Sequence, residues 1–449
     1  MNLTDHFGNP VSCRNRVALD LYDQAVTQLN FYRTDPIATI EEALTHDPAF
    51  IMGHCFKAGL LATTSERGSE AGIAASLEAA ERHIGHALER ERMHLNAARS
   101  WLSRDFAGAA KLYGDISAEF PRDLLALQIA HLFDFLLGHS TMLRDRPAQV
   151  LHAWGDRDPQ RGIVLGMHAF GLEECGAYDD AEAIGRRAIE LSPADVWAAH
   201  AVAHVLEMRG QTRSGIEWVK NSAHGWSEHN FLAFHNWWHL ALFHLDEEDY
   251  GSALAVYDTR IRPTSTRVAG EMVDATALLW RLRLRNVDVG DRWTELARSW
   301  EQLGDDGYYA FNDVHALMAF LATGDQRQAQ RILDGLGAAS RRPDTNGIMS
   351  RDVGLPTARA LCAFERQDFE VAIDELQRLR PFAHRFGGSH AQRDLLQLTT
   401  TEAAFRAGRR SLARALVGER LALKARSEFN RSLLDRLLVL GVDENTRAA

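Results

Sequence analysis

A recurring pattern of small residues and helix breakers most constrains how this chain can fold. The stretch GIVLGMHAFGLEECGAYDDAEAIGRRAIELSP fits a helix–turn–helix repeat of roughly 34 residues. Numbered from Gly162, the small residues Ala169 and Ala188 stand at positions 8 and 27, Gly176 ends the first helix at position 15, and Pro193 ends the unit at position 32. Because helices that pack about 8–10 Å apart need small residues where they cross, the pattern predicts stacked helix pairs.

The same phase recurs along the chain. The small residue of position 8 returns at Ala97, Ala203 and Ala241, and weaker copies of the unit are centred on Asp368 and Gly408. A helix pair cannot bury its apolar face alone, so neighbouring pairs are expected to stack on one another. The sequence therefore predicts an all-α, tetratricopeptide-like helix-pair solenoid, wound as a right-handed superhelix, with about eight to nine repeats.

No composition shift marks a boundary between domains. A THDP segment that ends at Pro48 is typical of the end of a repeat, so we predict an N-terminal helical cap at residues 1–46 and a single-domain solenoid at residues 47–449. The short Gly-rich and polar stretches are interpreted as loops between repeats. The stretch from Arg260 to Val289 fits the repeat poorly, and its phase stays open.

Charge and composition bear on partners and compartment. The chain carries 50 basic and 61 acidic residues, a net charge of -11, and no long basic run. Duplex nucleic acid and anionic membranes are therefore not expected as partners. The four cysteines form no CxxC pair, the start MNLTDHFGNP lacks the features of a signal peptide, and no apolar run reaches the roughly 18 residues of a membrane span. We expect a cytoplasmic protein.

Two HxxxH pairs are the most informative polar feature. His200 and His204 form one pair, and His235 and His239 form the other. An i,i+4 spacing places both imidazoles on one helix face, where they can share a divalent metal such as zinc. Glu207 follows His204 by three residues and is a candidate ligand or general base. The alternative is that a helical chain with 20 histidines acquires such pairs by chance and presents a polar surface without metal.

The resemblance to tetratricopeptide repeats also indicates which side chains face inward. In those repeats, positions 2, 5, 9 and 12 line the concave groove, and the first HxxxH pair with Glu207 falls at positions 5, 9 and 12. We therefore expect the two pairs to converge on one pocket, although the tryptophans could equally be packing residues. The inner patch that the resemblance implies consists of Trp197, His200, His204, Glu207, His235, Trp238 and His239.

Three further polar motifs lie near the starts of predicted helices. Helix capping by Asp352 and Ser389 is one interpretation. The other is a ring of polar groups around one end of the groove, in which an arginine binds a carboxylate or phosphate. The motifs are FNDVH, RDVGLP and GGSHAQRD, and their candidate binding residues are Asn312, Asp313, His315, Arg351, Asp352, Gln392, Arg393 and Asp394.

Taken in order, the segments HAVAHVLEM, HNWWHLALF, YDTRI, FNDVHALMA, RDVGLP and GGSHAQRD resemble the tetratricopeptide repeat protein 38 family. The resemblance runs from about Asp47 to beyond Asp394, adds His54 and Asn236 to the motif positions, and implies the repeat fold and a cytosolic setting. It implies no catalytic residue. His390 stands where the family pattern has Asn, so we do not expect it to be a ligand.

Two functions from different classes remain open. In the first, a concave groove lined by His, Trp, Glu, Arg and Asp binds a peptide, a protein segment or a small molecule. In the second, the chain is a metal-dependent enzyme with a His200/His204/His235/His239 site and Glu207 as general base. The chain has no GxxxxGK[ST], HExxH or GxSxG motif, so nucleotide-dependent and serine-hydrolase chemistry of the usual kinds is not expected.

Overall fold

The computed structural model describes residues 3–447, and it is 76% helical. This confirms the prediction of an all-α helical repeat protein. The chain forms two compact units, which are described separately below, and the single-domain solenoid at residues 47–449 stays a prediction. Unit 1 comprises residues 1–202, 222–233 and 343–346, and unit 2 comprises residues 203–221, 234–342 and 347–449.

The first part of the chain begins with a small strand pair and continues as successive helices. Strand β1 (Leu3–Thr4) pairs antiparallel with β2 (Pro10–Val11). The helices that follow are α1 (Arg16–Asn30), α2 (Pro36–His46), α3 (Ile51–Thr63), α4 (Glu70–Glu81), α5 (Glu89–Leu102), α6 (Phe106–Glu119), α7 (Leu124–Leu137), α8 (Ser140–Val150), α9 (Arg161–Glu174) and α10 (Tyr178–Leu191).

The remaining helices provide most of unit 2. They are α11 (Val196–Met208), α12 (Thr212–Trp226), α13 (Ala233–Asp246), α14 (Tyr250–Val256), α15 (Ala269–Leu284), α16 (Arg292–Leu303), α17 (Ala310–Thr323), α18 (Gln326–Ala339), α19 (Thr345–Met349), α20 (Leu355–Glu365), α21 (Phe369–Leu379), α22 (His390–Arg406), α23 (Arg410–Leu423) and α24 (Glu428–Arg447). Two π-helical segments interrupt them, at Tyr257–Ile261 and Ser350–Gly354.

The predicted repeat signals act as expected in α9 and α10. Ala169 and Ala188 are fully buried, and Gly176 adopts the left-handed backbone conformation just after α9. At Gly171 a side chain has no room, because an added Cβ would lie 2.2 Å from the backbone of Leu143. In unit 2, Ala203 and Ala241 are buried in the same way. The small residues thus lie in tightly packed interiors, as the pattern predicts.

Polar residues define where several helices begin. Ser389 and Gln392 form a capping box at the start of α22: the Ser389 hydroxyl accepts from the Gln392 N–H at 3.2 Å, and the Gln392 side chain accepts from the Ser389 N–H at 3.1 Å. Asp352 instead lies within a π-helical segment and forms ion pairs with Arg351 and Arg385. The capping interpretation therefore holds at Ser389 and is wrong at Asp352.

No helix in the described part of the chain has both the length and the apolar character needed to cross a membrane.

Candidate functional site

Helices α11 and α13 bring three histidines together inside unit 2. The ring centroids of His204 and His239 lie 4.3 Å apart, and those of His235 and His239 lie 5.1 Å apart. Each of the three offers a ring nitrogen within 4.8 Å of the others. All three side chains are buried. We call His204, His235 and His239 the histidine cluster.

Two carboxylates orient the cluster. The Nδ1 atom of His235 donates to Asp274 Oδ2 at 2.6 Å, and the Nδ1 atom of His239 donates to Glu207 Oε2 at 3.1 Å. A carboxylate acceptor at Nδ1 favours the tautomer that carries its proton there. The lone pair then lies on Nε2, and metal-binding histidines are commonly held in this way.

Glu207 is anionic in this setting. Its second carboxylate oxygen accepts from Lys424 Nζ at 2.7 Å. Burial alone would raise the pKa of Glu207, but Lys424 and the hydrogen bond from His239 more than offset burial, so the pKa lies well below its usual range. Burial also lowers the pKa of His239, and Glu207 only partly offsets this effect. The imidazole is therefore neutral near pH 7.

A second layer of side chains supports the cluster. Asp274 accepts from Gln392 Nε2 at 3.2 Å, which connects the GGSHAQRD motif to the histidines. The Trp238 ring stacks on His235 with centroids 5.4 Å apart, and the guanidinium of Arg281 lies 5.3 Å from the Trp238 ring. Trp238 thus contacts a histidine of the cluster, and Gln392 contacts the carboxylate that orients it.

Other predicted residues of unit 2 have local roles. His315 is fully buried, donates through Nδ1 to the Phe311 carbonyl at 2.7 Å, and has its pKa lowered to about 4 by burial. Asp313 accepts from the Gly307 N–H at 3.0 Å. Arg393 donates to backbone carbonyls at residues 387 and 388. These contacts hold loops in place. The other motif residues that lie outside the cluster are Asn236, Asn312, Arg351, Asp352 and Asp394.

The predicted residues of unit 1 are surrounded by aromatic rings. The His200 ring packs against Phe170 and Trp197, with centroids 5.0 Å and 4.9 Å away. Trp197 Nε1 donates to His131 Nε2 at 3.0 Å. The Tyr32 ring stacks on the Trp197 ring, with centroids 5.7 Å apart. Trp197 is thus a buried packing residue, and a ligand role for His200 stays a prediction.

His54, the remaining motif residue of unit 1, has a local contact. Its Nε2 atom lies 3.0 Å from the carbonyl oxygen of Pro48, which precedes the start of α3. Burial lowers the pKa of its imidazole, with a smaller opposing effect from this hydrogen bond. This contact thus connects His54 on α3 to the loop that precedes the helix.

Three residues around the site were not predicted from the sequence: Asp274, Arg281 and Lys424. Asp274 has a recognisable signal, since it is the one acid within the apolar stretch MVDATALLW, and a buried carboxylate needs partners. It lies in the region whose repeat phase was left open. Lys424 has no comparable signal, because its partner Glu207 is 217 residues away in the sequence.

The start of α11 contains a carboxylate that makes unit 1 sensitive to pH. Asp195 Oδ1 accepts from the N–H groups of Trp197 and Ala198 at 2.9 Å and 3.0 Å. Burial raises the pKa of Asp195 to about 7, and these hydrogen bonds only partly oppose it. The unfolded chain ionises this group near pH 4. The contribution of Asp195 to stability therefore falls as pH rises from about 4 to 7.

Asp195→Asn should remove that dependence, because an amide oxygen can accept the same two hydrogen bonds without charge. We expect the variant to exceed the wild type in free energy of unfolding by roughly 1–3 kcal/mol at pH 8, and to match it closely at pH 4. Urea unfolding at both pH values measures this difference. A variant that loses stability equally at pH 4 and pH 8 would contradict the ionisation argument.

Comparisons with known proteins find solved structures of low similarity to this chain. No family model matches the sequence. Among solved structures, a human IFIT1 dimer with m7Gppp-AAAA matches at 13% identity with a TM-score of 0.42, and 94% of each chain is covered. A human IFIT1 dimer with PPP-AAAA matches at 12% identity with a TM-score of 0.43 and the same coverage.

Yeast Tom70 matches at 12% identity with a TM-score of 0.34, and 96% of each chain is covered. These values are too low to transfer a ligand or an activity to the present chain. The function must therefore be argued from its own side chains.

Proposed function

We propose that this chain is a ligand-binding repeat protein that holds a divalent metal ion, zinc as the test ion, in the histidine cluster. The observation that carries the proposal is the pair of carboxylate-to-Nδ1 contacts, Asp274 to His235 and Glu207 to His239. Such contacts orient the imidazole rings and increase the basicity of a metal-ligating imidazole. Three histidines with one open coordination position form a site that can also accept an exogenous ligand.

The dimensions support this proposal. Nitrogens bound tetrahedrally to zinc at about 2.0–2.1 Å lie roughly 3.3 Å from each other. The ring nitrogens of the cluster lie within 4.8 Å of one another, so small side-chain rotations complete the site.

A metal-dependent enzyme is the second candidate. The same oriented histidines favour it, because an open position on a metal can activate water. Glu207 is a poor candidate for the general base, however. Its two oxygens accept from His239 and Lys424, and its lowered pKa makes it a weak proton acceptor. The contacts favour a positioning role for Glu207.

The remaining expectations enter the proposal as follows. The ligand is a peptide, a protein segment or a small molecule bound in unit 2, and nucleic acid and membranes are not partners, in keeping with the net charge of -11. We place the protein in the cytoplasm and in the tetratricopeptide repeat protein 38 family on its sequence motifs.

The test is zinc binding to protein purified without a His tag. Elemental analysis of the purified protein and calorimetric titration with zinc should both show about one ion per chain. His204→Ala combined with His239→Ala should weaken zinc binding at least about a hundredfold, since two of three ligands are lost. His315→Ala is the matched control, a buried histidine of the same unit outside the cluster, and should keep the wild-type affinity.

Circular dichroism confirms that each variant is folded, and His204→Gln is the substitute if the double variant is not. Wild-type protein that takes up no zinc would overturn the metal proposal. So would zinc binding that the cluster variants leave unchanged. Equal losses in the cluster variants and in His315→Ala would indicate a general effect on folding and would also count against the site.

A further inference from the structure

Two cavities in unit 2 lie beside the histidine cluster and share four lining residues: Arg281, Arg285, Leu398 and Phe429. The larger has a volume of about 180 Å³. The smaller, of about 50 Å³, is also lined by Glu207 and Lys424. Glu207 hydrogen-bonds to His239, so the smaller cavity lies one side chain away from the cluster.

Arg281 on α15 and Arg285, which follows the last residue of α15, line both cavities, and neither forms a direct ion pair with a carboxylate within the described residues. Arg281 donates to the backbone carbonyls of Ala277 and Ala391 at 3.0 Å and 2.7 Å. Arg285 donates to the Leu245 carbonyl at 2.9 Å, and its guanidinium lies 3.8 Å from the Phe429 ring centroid. Arg281 is only 3% exposed. A guanidinium has five N–H donors, so both retain donor capacity.

The acids around these cavities are engaged elsewhere. Glu207 pairs with Lys424 at 2.7 Å, Asp394 pairs with Arg420 at 2.6 Å, and Glu402 pairs with Arg436 at 2.6 Å. Glu248 lies at the exposed rim, where it accepts from Ser432. Asp246 caps the start of α24 through its contacts with Ser427 and Glu428. Arg281 and Arg285 are thus the lining cations that form no direct ion pair within the described residues, and they are the candidates for binding a ligand.

This pair of cations is costly without an anion. Like charges one helical turn apart repel each other, and burial penalises a charge that forms no direct ion pair. Burial lowers the pKa of Arg285 to about 10 and Arg281 adds to this effect, whereas Tyr250 and Asp246 oppose it. A bound anion would offset both penalties and use the free N–H groups.

One side of the larger cavity is apolar and is formed by Leu284, Leu398, Leu433 and Phe429. Polar and charged side chains complete the lining: Glu248, Tyr250, Asn286, Thr401, Glu402, Ser432 and Arg436. The volume of about 180 Å³ suits a short hydrocarbon body on the apolar side. A singly charged, planar carboxylate matches the guanidinium fork. It also meets less repulsion from the neighbouring Glu402 and Asp394 than a doubly charged phosphate would.

We infer that unit 2 binds a small organic carboxylate, with its acid group on Arg281 and Arg285 and its short apolar body against Leu284, Leu433 and Phe429. This inference names the ligand class for the proposed binding role and rests on that role. The position of the smaller cavity beside Glu207 places the acid close to the histidine cluster.

The probe is hexanoate, with hexanol and inorganic phosphate as comparisons, titrated calorimetrically into the full chain with and without zinc. We expect hexanoate to bind at least tenfold more tightly than either comparison. Arg285→Gln should weaken hexanoate binding at least tenfold. Arg283→Gln is the matched control, because Arg283 lies two residues before Arg285, on α15, but pairs with Glu365 at 2.6 Å. This control should bind hexanoate as the wild type does.

Each other outcome has a distinct meaning. No hexanoate binding, or equal binding of hexanol, would overturn the inference, and so would tighter binding of phosphate than of hexanoate. An equal loss in Arg285→Gln and Arg283→Gln would overturn the assigned position. Zinc binding separates the two proposals, because Arg285→Gln should still bind zinc. If the wild type binds zinc but not hexanoate, the ligand class alone is overturned. If the wild type binds hexanoate but not zinc, the metal proposal alone is overturned.

Discussion

Replacing Asp123 by alanine is expected to lower the free energy of unfolding of unit 1 by about 3–5 kcal/mol. Asp123 accepts from Arg90 Nη1 and from His94 Nε2, each at 2.8 Å, and caps α7 through the Ala126 N–H at 2.9 Å. Arg90 also pairs with Asp5 at 3.2 Å. Burial alone would raise the pKa of Asp123, but His94 and Arg90 hold it below its usual range.

The large effect follows from what the substitution leaves behind. Arg90 is 3% exposed and His94 is fully buried, so neither can regain water when the carboxylate is removed. Asp5 alone then faces the Arg90 charge. Removing one partner of a buried ion pair costs more than the pair itself contributes, because the other charge stays desolvated.

Urea unfolding followed by circular dichroism measures this effect. Asp115→Ala is the matched control: Asp115 forms an exposed i,i+4 ion pair with Lys111 on α6, at 2.6 Å, and its loss should cost no more than about 0.5 kcal/mol. Similar midpoints for wild type and Asp123→Ala would show that the buried ion network contributes little to stability.

Replacing Asp274 by asparagine is expected to weaken zinc binding by about 10- to 100-fold. The amide preserves the size of the side chain but removes its charge. Its NH₂ group can also face His235 Nδ1, which would shift the ring proton to Nε2 and remove the ligating lone pair. The new amide oxygen can still accept from Gln392 Nε2, as Asp274 Oδ1 does. In that orientation the NH₂ group faces His235.

Calorimetric zinc titration measures the change, and Asp313→Asn is the control. Asp313 is also a buried acid of unit 2, and it accepts from the Gly307 N–H at 3.0 Å. We expect the control to bind zinc with wild-type affinity. Unchanged affinity in Asp274→Asn would show that the carboxylate does not orient a metal ligand, whereas equal weakening in both variants would indicate a general loss of structure.

Local pattern was sufficient to predict the helices and much of their packing. Ala169, Ala188 and Gly176 mark a helix pair because small residues permit close crossings and glycine permits the left-handed turn, and α9 and α10 place them accordingly. The same applies to the face shared by His235 and His239, since an i,i+4 spacing is a property of the helix itself. The capping box at Ser389 likewise depends only on neighbours in the sequence.

What the sequence determined by itself is therefore the repeat, its helices and the HxxxH faces, all of which depend on contacts over a few residues. Only the tertiary structure decided which partners those faces meet. Asp274 reaches His235 across 39 residues and Lys424 reaches Glu207 across 217. Such pairings depend on how whole helices pack, and no local spacing encodes them. The ionisation of Glu207 and the burial of Arg281 and Arg285 without direct ion pairs arise from that packing, because burial and counter-charge set the energy of a charged group.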